Sequence, residues 1–222
     1  MIIAIDGPAG SGKSTVAKLV AERLGFHYLD TGAMYRAVAV AALDRGLALD
    51  DETSVAELAR TTPVRFEHDA GALASRVLIG ELDVTEAIRT PAADSAVTPV
   101  SQITAVRTAM VEQQREIGAG HDIVVEGRDI GTVVFPNAEL KVFLTASAEE
   151  RARRRALQQA AVGHEVDPDS VKRAIVARDE ADSTRAVSPL AAAPDSIAVD
   201  TTGLSIAQVV ERIAVLAAEA GS

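Results

Sequence analysis

Residues 7–14 read Gly-Pro-Ala-Gly-Ser-Gly-Lys-Ser and follow the apolar run Ile2-Ile3-Ala4-Ile5-Asp6 without a gap. Few features constrain a fold more. A G-x-x-x-x-G-K-[ST] spacing works where a buried strand delivers the chain into a tight turn with inward-pointing amides, and a helix begins directly after it. Gly7, Gly10 and Gly12 permit the turn, Pro8, Ala9 and Ser11 complete it, and a helix starting near Lys13 turns its positive end toward a bound phosphate. The pattern predicts a nucleoside triphosphate ligand, with Lys13 reaching the β- and γ-phosphates, Ser14 offering its hydroxyl to Mg²⁺ and Thr15 touching the α-phosphate. A plain glycine turn between strand and helix is the competing account, and the legible strand before and helix after the turn weigh against it.

The rest of the chain repeats this alternation. Short β-branched runs at Ile2–Ile5, Ile123–Val125, Val142–Leu144 and Ile197–Val199, with a briefer one at His27–Leu29, have the continuous apolar character of strands buried on both faces. Helical patterns lie between them at Val16–Leu24, Met34–Leu43, Ser101–Ile117, Ala148–Ala161, Pro168–Asp182 and Ser205–Glu219. Strands alternating with helices predict an α/β fold with a parallel sheet and right-handed crossovers. Residues 61–90 break the rhythm: Val64–Glu67, Ala74–Ile79 and Glu81–Val84 read as short, locally paired strands turning at Asp69–Gly71 and Gly80, a small antiparallel insert.

At 222 residues the chain has room for one α/β core with an insert, and no linker divides it. The net charge of −10 argues against extended nucleic acid, whose phosphates need clustered Lys and Arg, but allows small phosphorylated ligands in a locally basic cleft. With no cysteine, thiolate metal sites and disulfides are excluded, and His27, His68, His121 and His164 lack ligand-like spacing. No basic leader precedes the first apolar run and no stretch is long enough to span a bilayer, so a cytoplasmic location without membrane attachment is expected.

Ligands of open parallel sheets sit at the carboxyl ends of the strands. Two glycine-flanked charged segments fall there, Asp30-Thr31-Gly32-Ala33-Met34-Tyr35-Arg36 and Glu126-Gly127-Arg128-Asp129-Ile130-Gly131-Thr132. Each alone is also compatible with an Asp cap and an Arg salt bridge on a surface turn. A third cluster contains Arg151, Arg153, Arg154, Arg155, Arg173, Arg178 and Arg185, in a chain with four lysines. Guanidinium groups fork onto phosphate oxygens and keep their charge, which suits transition-state neutralisation. Pairing with Glu149 and Glu150 on a solvated face accounts for one or two of Arg151–Arg155, since four arginines within five helical residues cannot share one direction.

Taken with Gly7–Thr15, Asp30–Arg36, Glu126–Pro136 and Arg185-Ala186-Val187-Ser188-Pro189-Leu190, the chain resembles the bacterial cytidylate kinases along its whole length. The Gly-Arg-Asp-Ile-Gly-Thr and Arg-Ala-Val-Ser-Pro-Leu blocks carry most of that resemblance. It implies a P-loop NTPase-type five-stranded parallel sheet in a single nucleoside monophosphate kinase domain: core 1–60, 91–150 and 169–222, β insert 61–90 and a helical lid at 151–168. It further implies phosphoryl transfer from Mg²⁺-ATP to CMP or dCMP by a monomer. Carried over by position, Lys13, Arg154 and Arg178 would be catalytic. Thr31, Arg36, Arg128 and Arg185 would surround the CMP phosphate, Arg178 and Asp182 would reach the sugar and the transferring group, and Thr98, Arg107 and Asp129 would read the base. Three alternatives stay open: a P-loop kinase for another small acceptor, a nucleotide-hydrolysing switch, against which stands the absence of an Asn-Lys-x-Asp motif, and a non-catalytic nucleotide-binding module.

Overall fold

The protein is described by a computed structural model for residues 1–67, 76–161 and 167–221. The Asp69–Gly71 turn, Ala74 and Ser75, His68, His164 and the centre of the expected lid lie outside those residues. In chain order the elements are β1 Ile2–Asp6, α1 Lys13–Leu24, β2 His27–Asp30, α2 Thr31–Asp44, α3 Glu52–Thr61, β3 Val64–Glu67, β4 Arg76–Ile79, β5 Leu82–Asp83, α4 Pro91–Gln102, α5 Thr104–Gly118, β6 Ile123–Gly127, β7 Leu140–Thr145, α6 Ala148–Ala161, α7 Pro168–Thr184, β8 Ile197–Asp200 and α8 Ile206–Ala220. They form two compact units, Met1–Asp30 with Gly120–Ser222, and Thr31–Ala119.

The first unit contains the expected five-stranded parallel sheet, in the order β2-β6-β1-β7-β8. Ile3–Ile5 and Ile123–Val125 are buried at every position, which is why their sequences are apolar without alternation. Val16 and Val20 of α1 and Val209 and Ile213 of α8 close over Ile3, Ile5, Val142 and Leu144. Helix α8 starts at a reciprocal cap, in which Gln208 N–H donates to Ser205 Oγ and Ser205 N–H to Gln208 Oε1. Burying Val209, Val210 and Ile213 stabilises its docking by roughly 1.5–3 kcal/mol per side chain.

Register sets the chemistry of the sheet edge. Asp30 lies level with Glu126, and Asp6 with Gly127 and Phe143, so three acidic side chains stand in the last two positions of three adjacent strands. At Gly7, which follows Asp6, an added Cβ would stand 2.0 Å from the Leu144 carbonyl oxygen, so no side chain fits where the loop leaves the sheet.

The second unit holds the antiparallel insert, a three-stranded sheet ordered β3-β4-β5, and helices α2 to α5. Two features of this unit depart from the sequence reading. The periodicity placed one helix at Ser101–Ile117; the chain instead forms α4 and α5, separated at Ile103. Thr90 caps α4, its hydroxyl accepting from Ala93 N–H at 3.3 Å, and Pro91 starts it. Pro99 inside α4 obscures the helical pattern in sequence, since an interior proline removes a backbone donor and crowds the carbonyl four residues before it. Helix α3 was not foreseen; Asp51 caps it by accepting from Ser54 N–H at 3.1 Å.

Candidate active site

In the first unit, the loop from Gly7 to Gly12 leads into α1 as its spacing requires, with Gly12 in the left-handed region at φ 91° as the residue before the helix. Lys13 is buried and its Nζ donates to Pro8 O at 2.8 Å and Ser11 Oγ at 3.5 Å, folding back across the loop. Burial lowers its pKa most and the like charge of Arg128 adds to that; Glu126 and Asp6 oppose the shift, and Arg178 reinforces it.

Glu126, at the end of β6, was visible in sequence only as a member of a charged segment. Its Oε2 accepts from Ser14 Oγ at 2.9 Å and its Oε1 from Tyr28 OH at 2.5 Å. Burial, then the charge of Asp30, raises its pKa, against the pull of Lys13. Register predicts this once the strands are aligned: an acidic residue ending an apolar strand beside the phosphate loop must face the loop's helix.

The next segment is shaped by Asp6. Its two carboxylate oxygens accept from Ile130 N–H and Gly131 N–H, both at 2.8 Å, and hold a single π turn over Ile130–Val134. Burial lifts the Asp6 pKa to about 6 although both amides favour the charged form. The Asp6→Ala variant leaves two buried amides unsatisfied, an expected loss of about 2–5 kcal/mol in unfolding free energy by denaturant titration. A loss under about 1 kcal/mol would mean that water replaces the carboxylate.

This turn presents Arg128 and Asp129 to the end of α7. Arg128 Nε donates to Asp182 Oδ2 at 2.9 Å, while Arg185 lies 3.8 Å from Asp182 Oδ1 and 3.6 Å from Asp129 Oδ1. Arg185 also donates through Nε to Ser188 O, and Leu190 N–H closes on Asp182 O at 2.8 Å, which explains the compact Arg-Ala-Val-Ser-Pro-Leu segment.

The α6 arginines divide as a helical surface requires. Arg153 is exposed and pairs with Glu150 at 2.8 Å. Arg154 bridges Glu150 at 2.8 Å, Ser11 O at 3.3 Å, and Thr201 through Oγ1 at 2.9 Å and O at 2.8 Å. Arg151 is buried and donates to Ala9 O at 3.0 Å, Ala146 O at 3.1 Å and Asp179.

In the second unit, α2, α4 and α5 pack on one another and carry Thr31 and Arg36, Thr98, and Arg107 respectively. Thr31 begins α2 and is buried. Arg107, also buried, places its guanidinium 5.4 Å from the centroid of the Tyr35 ring and donates to Ser101 O at 3.4 Å. Tyr35 was not singled out from sequence, because a lone aromatic on an apolar helix reads as core.

The five-stranded parallel sheet, the glycine loop entering α1 and the cations around it define a P-loop kinase. The profile of the family described as cytidylate kinase matches residues 3–219. Proteins named cytidylate kinase are 52% identical over 214 residues in Carboxydothermus hydrogenoformans, covering 96% of this chain and 95% of that protein, and 50% identical over 212 residues in Pseudomonas syringae pv. tomato, covering 96% and 93%. An uncharacterized protein of known structure from Eubacterium ventriosum shares the fold at a TM-score of 0.54 with 11% identity, covering 96% of this chain and 95% of that one. The chain belongs to the cytidylate kinase family.

Proposed function

We propose that the protein transfers the γ-phosphoryl group of ATP to CMP or dCMP, giving CDP or dCDP and ADP. The observation that carries this reading, beyond family membership, is that the glycine loop with Lys13 folded across it is met by Arg151 at Ala9 O and Arg154 at Ser11 O, while Arg128 joins Asp182 at the end of α7. One oxygen of the acceptor phosphate attacks the γ-phosphorus in line, and the bond from that phosphorus to the β-phosphate oxygen breaks as ADP leaves. No strong base is required, because a phosphate monoester is largely dianionic near neutrality; positioning and charge neutralisation remain.

Lys13 and Arg178 act on the transferred group directly. Arg154 joins them by exchanging its Ser11 and Thr201 carbonyls for phosphate oxygens. Arg128 and Arg185, with Thr31 and Arg36, hold the acceptor phosphate, and Asp182 with Arg178 meets the sugar. Among the described residues no group of three His, Cys, Asp or Glu side chains is arranged for a metal. The hard oxygens of Ser14 and Glu126, with Asp30 beside them, fit Mg²⁺ as it is commonly held, by one or two protein oxygens together with phosphates and water. When bound, that ion neutralises charge on the β- and γ-phosphates.

Cytosine donates from N4 and accepts at N3 and O2, which suits a carboxylate at Asp129 and a guanidinium at Arg107, with Thr98 adding a hydroxyl. Uracil inverts the pattern at two positions, and each buried group left unpaired costs about 1–3 kcal/mol. Steady-state assays with Mg-ATP are therefore expected to show CMP and dCMP phosphorylated about 10²-fold or more faster than UMP or AMP. Equal turnover of all four would remove the cytosine reading and leave a P-loop kinase, whereas phosphate release without any acceptor would favour the hydrolytic switch.

A further inference from the structure

Residue Ala9 of the phosphate loop is held at both of its backbone polar groups by side chains from two helices. Its N–H donates to Asp179 Oδ1 of α7 at 3.2 Å, and its carbonyl accepts from Arg151 of α6 at 3.0 Å. The two side chains are themselves an ion pair. Arg151 is anchored further by its Nε donating to Ala146 O at 3.1 Å, and its backbone comes so near the loop that a Cβ on Gly10 would stand 3.0 Å from Arg151 O. None of these groups is needed to close α6 or α7 as helices. They tie the helix pair to the loop.

The direction in which that tie acts follows from α7. Along its first half, Val171 and Ile175 pack on Ala152 of α6, an apolar seam whose attraction is non-directional. Toward its end the inward residues are Asp179 and Asp182, which continue the same stripe at helical spacing. The placement of this half therefore rests on directional ion pairs: Asp182 with Arg128 and Arg185, and Asp179 with Arg151 and the Ala9 amide. Arg178, adjacent to Asp179, is the α7 residue whose charge reaches Lys13.

We propose that Asp179, braced by Arg151 and clipped to the Ala9 amide, is a positioning residue that fixes α7 against the phosphate loop and so sets where the Arg178 guanidinium stands relative to Lys13. The inference rests on the kinase reading of this site. Asp179 does not touch the reacting atoms; it sets the register between the loop that holds the phosphoryl donor and the arginine that meets the transferred group.

The test is Asp179→Asn, which keeps shape but turns an amide donor toward Arg151, measured alone and in an Arg178→Ala background, with CMP and ATP as substrates. The expected result is a fall in kcat of about 30–100-fold with the melting temperature nearly kept, as a misplacement of about 1 Å can produce. In the Arg178→Ala background the same change is expected to cost less than about twofold, because the group it positions is gone. Equal losses in both backgrounds, or a kcat within about twofold of wild type, would overturn the proposal. Arg151→Lys, which returns a cation to Asp179 without the fork, is expected to fall between wild type and Arg151→Met, and this series carries the test if Asp179→Asn fails to fold; identical values for Lys and Met would count against the brace. A crystal structure of Asp179→Asn reads the same question without any acceptor: α7 shifted from Ala9 supports the proposal, and an unmoved Arg178 overturns it. Absence of CMP phosphorylation by the wild-type protein would instead strike the functional reading.

Discussion

Lys13→Ala is expected to lower turnover by about 10²–10³-fold or more while the protein stays folded. The Nζ of Lys13 donates to its own loop, at Pro8 O and Ser11 Oγ, so among the described residues no other element loses a hydrogen bond to it, although the buried carboxylates of Glu126 and Asp6 lose its charge. Burial already weakens its hold on a proton, and truncation also removes that cost; alanine is in addition the best helix former for the first residue of α1. On the proposed function, what disappears is the cation that follows charge onto the β- and γ-phosphate oxygens in the transition state, at a place where water does not substitute well. Steady-state kinetics beside a thermal melt check both halves. Turnover within about threefold of wild type would remove Lys13 from the mechanism.

The second large effect falls on stability. Asp182→Ala is expected to cost about 3–5 kcal/mol, since it removes the carboxylate that Arg128 and Arg185 share and leaves only Asp129 facing Arg185, and breaking a buried ion pair from one side is far more costly than losing a surface pair. Arg185 is 3% and Arg128 20% exposed at the side chain, so solvent compensates poorly. At about 2–4 °C per kcal/mol for a chain of this size, the melting temperature should drop by roughly 6–20 °C. The backbone bond from Leu190 N–H to Asp182 O survives the change, so the loss reports on the side chain. A drop below about 2 °C would mean that other carboxylates or water take over the two arginines.

How much of this was readable from the sequence depends on the range over which each feature is determined. The loop, β1 and α1 were legible because glycine spacing and an uninterrupted apolar run are local signals. The antiparallel insert was legible for the opposite reason, as a break in the alternation of strands and helices. Helix α4 was hidden by Pro99, and α3 by a mixed composition whose decisive feature is one cap at Asp51. The charged segment after β6 could be recognised as a loop at the sheet edge, but its π turn could not, because the carboxylate that satisfies it stands more than a hundred residues earlier, at Asp6. Four arginines on α6 were visible as a cluster. The helix spreads them around its surface, and which of them meet the loop is settled by Ala9, Ser11 and Thr201. The base-reading assignments of Thr98, Arg107 and Asp129 came from resemblance, since nothing in spacing alone distinguishes them from ordinary helix and loop residues.

The carboxylates facing Arg128 and Arg185 bear on selectivity. Each guanidinium there already faces aspartate, so on the proposed reading an incoming phosphate gains only the difference between its own pairing and the one it displaces. Singly charged anions gain little from such an exchange. On the proposed reading, a ligand that engages several other groups at once can meet the cost, which would keep the common salts of the surroundings off these arginines.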